Sequence, residues 1–220
     1  MQPEEIYKYI DHTLLKPTST WDDIADICRQ ALEYKTASAC IPPFFVDQAH
    51  KEFSDLNICT VIGFPLGYTY SDIKAKEAQK AIDQGAGEID MVINISQAKQ
   101  ANWDEVLSDI MKVRAVTKGY ILKVIVETAY LDEAEKIKLC EIVTQSGADY
   151  IKTSTGFAPG GATLADIELF AKHIGEGVKM KAAGGIKTKE DIEKFISLGV
   201  SRIGTSGAIK ILAGQTSDGY

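Results

Sequence analysis

Short apolar, β-branched runs alternate along the whole chain with longer stretches in which apolar positions recur at the helical period. Eight runs have the pattern of buried strands: YIDHTLL, TASACI, ICTVIGF, EIDMVIN, YILKVIVE, ADYIKT, VKMKAAG and SRIGTS. The stretches between them, such as LDEAEKIKLCEIVTQSG, place most apolar residues on one face and predict amphipathic helices. This strict alternation predicts parallel strands that are joined by right-handed helical crossovers.

Eight strand–helix units predict a single closed (β/α)8 TIM barrel. An open doubly wound sheet is the alternative, but the GxGxxG turn that marks it after the first strand is missing. The segment QPEEIYKYI, before the first strand, predicts an extra N-terminal helix that caps the barrel. We expect residues 1–220 to form one domain, in which residues from about 214 to 220 are a polar, mobile tail.

Composition narrows the classes of partner. The chain has 220 residues, a net charge of −7 and a pI near 5.1, with no run of Lys or Arg. This disfavours nucleic acid and an anionic membrane as partners. The N-terminus has no secretory pattern and no apolar stretch has the length of a membrane span. Four scattered cysteines without a CxxC pair predict reduced thiols and a cytoplasmic protein.

The chemistry of a barrel enzyme lies at the carboxyl ends of its strands. Strand alternation directs Lys152 on the sixth strand and Lys181 on the seventh into the barrel, close to each other. A second positive charge and partial desolvation lower the pKa of one lysine below the reference of about 10.4. A neutral lysine attacks carbonyl groups and forms a Schiff base. Asp90, on the inward face of EIDMVIN, supplies negative charge and can pass protons through water.

A structural network of lysines and carboxylates is the alternative interpretation of this cluster. One inward lysine would favour that alternative. Two lysines on adjacent strands, each followed by a glycine-rich turn, favour the Schiff-base site. Lys123 and Glu127 have two interpretations, a structural ion pair or a part of the site. We favour the ion pair, because a lysine and a carboxylate on one strand face satisfy each other.

Glycine-rich turns, AAGGIKT and IGTSGAI, follow the seventh and eighth strands. Backbone N–H groups of these two loops commonly bind a phosphate in barrels, and Lys187 and Ser206 can add side-chain donors. Turns and helix caps without a ligand are the alternative. Three scattered histidines indicate no metal site, and His12 is expected to be a hydrogen-bonded packing residue.

Six motifs occur in an order that resembles the deoxyribose-phosphate aldolase family: IDHTLLKPT, EIDMVIN, LKVIVET, YIKTSTGF, KAAGGIKT and RIGTS. The resemblance covers nearly the whole chain. It implies that Lys152 forms the Schiff base, that Lys181 perturbs it and that Asp90 relays protons, without a metal or other cofactor. Tyr220 matches a terminal tyrosine that helps proton transfer. The residues expected to hold the substrate are Thr155, Gly156, Gly184, Gly185, Lys187, Gly204, Ser206 and Asp11.

Two positions depart from relatives in this family. Phe157 replaces a lysine of certain members, and Gly207 replaces a second serine of many members. The second change leaves only a backbone N–H for the phosphate. We therefore expect phosphate binding that is weaker or that relies more on the main chain.

The implied activity is reversible cleavage of 2-deoxy-D-ribose 5-phosphate to D-glyceraldehyde 3-phosphate and acetaldehyde. One alternative is another Schiff-base lyase, such as a transaldolase-like or keto-acid aldolase. A non-catalytic phosphosugar-binding barrel is a second. The expected partners are a small phosphosugar and, since dimers are common among such barrels, a second copy of the chain.

Overall fold

Eight parallel strands form a closed barrel in which each strand pairs with the next and β8 closes onto β1. The computed structural model describes residues 1–214. The strands are β1 (Ile10–Thr13), β2 (Ser38–Ile41), β3 (Ile58–Ile62), β4 (Glu88–Val92), β5 (Ile121–Ile125), β6 (Tyr150–Lys152), β7 (Lys179–Ala183) and β8 (Val200–Thr205). The predicted (β/α)8 barrel is confirmed.

The helices lie around the barrel and fill the connections between strands. They are α1 (Pro3–Tyr7), α2 (Trp21–Tyr34), α3 (Val46–Glu52), α4 (Ser71–Asp83), α5 (Ile95–Lys99), α6 (Trp103–Val116), α7 (Glu133–Ser146), α8 (Leu164–His173), α9 (Lys189–Ser197) and α10 (Ala208–Leu212). The short α1 precedes β1, where the extra helix was predicted, and buries Ile6 in the core. None of the helices in the described part of the chain is long and apolar enough to cross a membrane.

Local sequence fixes several helix starts. Thr20, Asp132 and Thr188 each accept a hydrogen bond from a backbone N–H three residues later, and an acidic side chain at that position bonds back to the cap. These reciprocal bonds satisfy N–H groups that have no partner inside the helix. The caps therefore fix the residue at which α2, α7 and α9 each begin.

Strand alternation separates an apolar layer from a charged one. Ile89 and Met91 on β4 are fully buried in the core between strands and helices. Glu88 and Asp90, on the opposite face of the same strand, are buried inside the barrel among lysines. The barrel interior towards the carboxyl ends of the strands is thus polar, and this is where the candidate site lies. Tyr220 and the rest of the predicted tail beyond Gly214 are outside the described residues.

Candidate active site

Asp90 is the centre of a buried ion-pair network. Its Oδ2 accepts hydrogen bonds from Lys152 Nζ at 2.8 Å and from Lys181 Nζ at 2.7 Å. Its Oδ1 accepts one from Lys123 Nζ at 2.8 Å. The strand register explains this convergence, because Asp90 is paired with Lys123 across β4 and β5, and Lys152 with Lys181 across β6 and β7. The three residues predicted from sequence, Lys152, Lys181 and Asp90, are brought together.

A second set of charged residues lies deeper in the same network. Asp11 Oδ2 accepts a hydrogen bond from Lys181, and Asp11 Oδ1 accepts one from Arg202 at 2.6 Å. Glu88 pairs with Lys123 and accepts two hydrogen bonds from Arg202, each 2.8 Å long. The network therefore joins four cationic side chains to three carboxylates and carries one positive charge in excess when all are ionised. Asp11, predicted to bind substrate, is fully buried and holds Lys181 instead.

The network fixes the charge of two of its members. Burial by itself opposes ionisation of Asp90, but Lys123, Lys152 and Lys181 outweigh it and hold the pKa of Asp90 well below its usual range. Burial likewise opposes the charged form of Lys181, yet Asp11 and Asp90 raise its pKa above the ordinary value. At neutral pH Asp90 is a carboxylate and Lys181 an ammonium.

Lys152 is the lysine of this network that lies nearest the mouth. This residue keeps a trace of exposure, 3%, whereas Lys123 and Lys181 are both at 0%. Loss of one proton from a lysine would remove the excess positive charge of the network. A substrate that enters from the mouth meets Lys152 first, so this position suits a nucleophile.

The predicted ion pair between Lys123 and Glu127 is wrong. Lys123 pairs with Glu88 and Asp90, whereas Glu127 accepts hydrogen bonds from the N–H and the Oγ1 of Thr155. The physical reason is that β5 ends at Ile125 and the backbone of Glu127 is left-handed, with φ 58°, so strand alternation no longer applies there.

Glu127 is a site residue whose surroundings the sequence did not reveal. It is 2% exposed, and burial raises its pKa in spite of the hydrogen bonds from Thr155. A left-handed conformation at a buried non-glycine residue is uncommon, and such residues cluster at functional sites. Glu127 holds Thr155 in position through these two hydrogen bonds. The hydroxyl of Thr155, a predicted substrate-binding residue, therefore already donates its proton to Glu127.

The glycine-rich loops enclose one pocket of about 240 Å³. Six predicted substrate-binding residues line it: Gly156, Gly184, Gly185, Lys187, Gly204 and Ser206. Gly161 lies in close contact with the Gly184 turn, since a Cβ built on it would come within 2.3 Å of the Gly184 carbonyl. Gly184 and Gly185 both have left-handed backbones, with φ 79° and 73°. Half of the residues that line the pocket are glycines, so backbone groups are accessible in its wall, as an anion site at glycine loops requires.

Two glycines on the eighth strand and its loop differ from the expected roles. Gly204 lines the pocket but also makes space for Lys181, because an added Cβ would lie 3.2 Å from Lys181 Cε. The N–H of Gly207, expected to face the phosphate, donates a hydrogen bond to Thr205 Oγ1 at 3.1 Å. The N–H of Gly207 is thus already donated within its own loop, contrary to the expectation that it serves a phosphate.

A second cleft at the mouth of the barrel is apolar. Phe157 packs edge-on against Phe64 with ring centroids 5.3 Å apart. Both rings line a cleft of about 440 Å³ together with Leu15 and Val61. Phe157, which stands where some relatives carry a lysine, is thus part of the apolar wall of this cleft.

Sequence reasoning missed three further charged or thiol groups of the site: Glu88, Arg202 and Cys59. Glu88 precedes Asp90 by two residues and Arg202 precedes Gly204 by two, so strand alternation alone could have placed both inside the barrel. Cys59 Sγ lies 3.3 Å from Asp90 Oδ1, a contact that no local pattern signals. His12 is buried, and its Nε2 lies 2.9 Å from Gln30 Oε1, which confirms its predicted packing role.

Comparisons with known proteins agree with this architecture. The family described as DeoC/LacD family aldolase matches residues 6–214. The chain is 54% identical over 221 residues to a deoxyribose-phosphate aldolase of Clostridium botulinum (strain Alaska E43 / Type E3), with 100% of each chain covered. A solved structure of a putative deoxyribose-phosphate aldolase from Coccidioides immitis superposes with a TM-score of 0.94 at 36% identity, covering 97% of this chain and 87% of that one. A tetrameric deoxyribose phosphate aldolase from Aeropyrum pernix gives a TM-score of 0.89 at 30% identity, with 97% and 92% covered.

Proposed function

Because the chain belongs to the DeoC/LacD family of aldolases, we propose that it reversibly cleaves 2-deoxy-D-ribose 5-phosphate to D-glyceraldehyde 3-phosphate and acetaldehyde. The observation that carries this proposal is the convergence of Lys152 and Lys181 on one oxygen of Asp90. The glycine-lined pocket lies beside them, because Gly204 both lines the pocket and packs against Lys181.

In the proposed reaction, the neutral amine of Lys152 attacks the C1 aldehyde of the open-chain sugar, and loss of water gives an iminium ion. The iminium withdraws electrons from C2, so the C2–C3 bond breaks once the proton of the C3 hydroxyl is removed. D-glyceraldehyde 3-phosphate leaves and an enamine remains. Protonation at C2 and addition of water then release acetaldehyde and restore Lys152.

The neighbours of Lys152 have separate tasks in this reaction. The carboxylate of Asp90 is the proton acceptor of the relay, and the ammonium of Lys181 is its donor; bound water links them to the C3 oxygen. Lys181 and Lys152 also share Asp90 Oδ2 as acceptor, so this carboxylate sets the position of one amine relative to the other. The glycine loops, with Lys187 and Ser206, hold the phosphate and so set the distance between C1 and Lys152. A role of Tyr220 in proton transfer stays a prediction, because this residue lies outside the described part of the chain.

Borohydride trapping tests the proposal. The protein is incubated with 2-deoxyribose 5-phosphate, reduced with borohydride and mapped by peptide mass, while acetaldehyde is measured in an unreduced sample. We expect a covalent adduct on Lys152 together with acetaldehyde. Lys152→Arg keeps the charge but cannot form the adduct. Lys179→Arg is the matched control, because Lys179 lies two residues before Lys181 and packs over the Tyr150 ring, away from Asp90.

Other outcomes separate the alternatives. An adduct with a different carbonyl compound, but none with this sugar, would indicate another Schiff-base lyase. A protein that binds the phosphosugar but forms no adduct would be a binding barrel. The predicted homodimer is a separate proposal. The Aeropyrum pernix relative is described as a tetramer, so a dimer and a tetramer are the states to distinguish. Light scattering coupled to gel filtration measures the mass in solution.

A further inference from the structure

Two thiols face each other inside the barrel wall, next to the carboxylate that organises the lysines. Cys40 on β2 and Cys59 on β3 are register partners in adjacent parallel strands. Both are fully buried, and neither is in a disulfide. Cys59 Sγ also lies 3.3 Å from Asp90 Oδ1. The proposed reaction uses neither thiol.

The three groups have the spacing of metal ligands. The sulfur atoms of Cys40 and Cys59 and a carboxylate oxygen of Asp90 all lie within 4.8 Å of one another. Tetrahedral coordination with Zn–S bonds of about 2.3 Å needs the two sulfurs about 3.8 Å apart. Two thiolates and one carboxylate are a donor set that suits Zn²⁺ and Cd²⁺, and the fourth position is left for water.

Charge does not prevent a cation from entering this network. Two metal–sulfur bonds form as two thiol protons leave to solvent, so a divalent ion enters without any change in total charge. Lys123 Nζ already donates a hydrogen bond to Cys59 Sγ at 3.4 Å and can compensate a thiolate there. The ion would replace the lysine contact at one oxygen of Asp90.

A short path connects the thiols with the mouth of the barrel. Cys40 and Cys59 belong to a small apolar cluster with Leu15 and Val61. The latter two side chains also line the apolar cleft at the mouth. One layer of side chains therefore separates the thiols from a solvent-accessible cavity.

We propose that Cys40, Cys59 and Asp90 form a site for a thiophilic divalent cation, Zn²⁺ or Cd²⁺, whose binding inhibits the enzyme. Inhibition follows because the ion, once it binds Asp90 Oδ1, displaces Lys123 from that oxygen and withdraws negative charge from the carboxylate that accepts protons in the proposed relay. The inhibitory part rests on the proposed aldolase function, whereas the binding part does not.

The first experiment measures binding without any reference to activity. Reduced, metal-free protein is titrated with Cd²⁺ while the ultraviolet absorption of cadmium–thiolate bonds is followed, and Zn²⁺ stoichiometry is measured by equilibrium dialysis. We expect one ion per chain and absorption from two thiolates. Cys59→Ser and Cys40→Ala should each weaken binding at least tenfold and remove about half of the absorption. The control is the double variant Cys28→Ala, Cys140→Ala, whose buried cysteines lie on α2 and α7, outside the cluster.

Folding is checked in every variant by circular dichroism, and Cys59→Ala serves as a second substitution where Cys59→Ser does not fold. Folded wild-type protein that gives no cadmium–thiolate absorption would overturn the site. Equal binding by the wild type and a folded Cys59 variant would overturn it as well.

The second experiment measures borohydride trapping and aldolase rate with and without Zn²⁺. We expect Zn²⁺ to slow the wild type and the Cys28/Cys140 control but to leave a folded Cys59 variant unaffected. Binding without inhibition would overturn the inhibitory part only. A protein that binds the ion but shows no aldolase activity would refute the proposed function and leave the metal site intact.

Discussion

Lys152 and Lys181 donate hydrogen bonds to the same atom, Oδ2 of Asp90, from neighbouring strands. They differ in what else holds them. Lys181 is also bound by Asp11, whereas Asp90 is the only carboxylate within ion-pair distance of Lys152 in the part of the chain that the structure describes. One lysine is thus fixed as a cation, and the other is left close to the mouth with a single shared partner.

Replacement of Lys181 by Met removes the ammonium that donates protons in the proposed relay. Protonation of the enamine at C2 then lacks its donor. We expect kcat/KM at pH 7 to fall at least about 100-fold, while the borohydride adduct still forms on Lys152. Lys179→Arg should leave both unchanged. An unaltered kcat/KM in Lys181→Met would refute this role.

Asp90→Asn should abolish activity and destabilise the fold, since it leaves three buried lysines without their common anion. Removal of one partner of a buried ion pair costs about 3–5 kcal/mol of unfolding free energy. Urea denaturation measures this loss, and borohydride trapping measures the reaction. The double variant Asp90→Asn, Lys123→Met removes a cation as well and should recover part of the stability but none of the activity. Recovery of activity in the double variant would contradict a role for Asp90 in the relay.

Strand geometry explains why so much of the site could be predicted from sequence. The side-chain period of two placed Lys152, Lys181 and Asp90 inside the barrel, and these contacts are present. The pairing of Arg202 with Asp11 depends on closure of β8 onto β1, across 191 residues, and has no local signal. Glu127 was misplaced because its backbone leaves the strand conformation, and φ is not encoded by an apolar pattern.

Gly161→Ala should impair binding of the phosphate group specifically. The new Cβ would lie 2.3 Å from the carbonyl of Gly184, so the turn that lines the pocket must move. Loss of a hydrogen bond to a charged group costs about 1.5–3 kcal/mol, which corresponds to roughly a 10- to 100-fold lower kcat/KM. We expect this loss with 2-deoxyribose 5-phosphate but not with unphosphorylated 2-deoxyribose. Gly160→Ala is the control at the neighbouring position. Its new Cβ would meet the Ala129 side chain at 3.2 Å, which is a milder contact. An equal loss with both sugars would point to general damage.

Glu127→Ala should weaken catalysis more than Thr155→Val. The first change removes the charged acceptor of both the N–H and the hydroxyl of Thr155. The second removes the hydroxyl, which donates to that charged acceptor and accepts only an uncharged bond, from the N–H of Phe157 at 3.0 Å. At about 1.5–3 kcal/mol for each buried hydrogen bond to a charged acceptor, Thr155→Val should lose roughly tenfold in kcat/KM and Glu127→Ala roughly 100-fold. The borohydride adduct should still form on Lys152. The exposed Glu133→Ala on α7 is the control. The reverse order of effects would show that Glu127 does not act through Thr155.

The buried His12 should make stability depend on pH between 7 and 5. Burial lowers its pKa from 6.5, although the hydrogen bond with Gln30 opposes the shift, so the unfolded chain takes up a proton that the folded protein resists. Stability from this residue is therefore present above pH 6.5 and is lost as the pH falls, with a limiting slope of about 1.4 kcal/mol per pH unit. His12→Gln cannot titrate, and the difference between its unfolding free energy and that of the wild type should change with this slope. His173→Gln, at an exposed histidine of α8, controls for the loss of a histidine. Parallel curves for wild type and His12→Gln would mean that the folded protein protonates His12 as readily as the unfolded chain does.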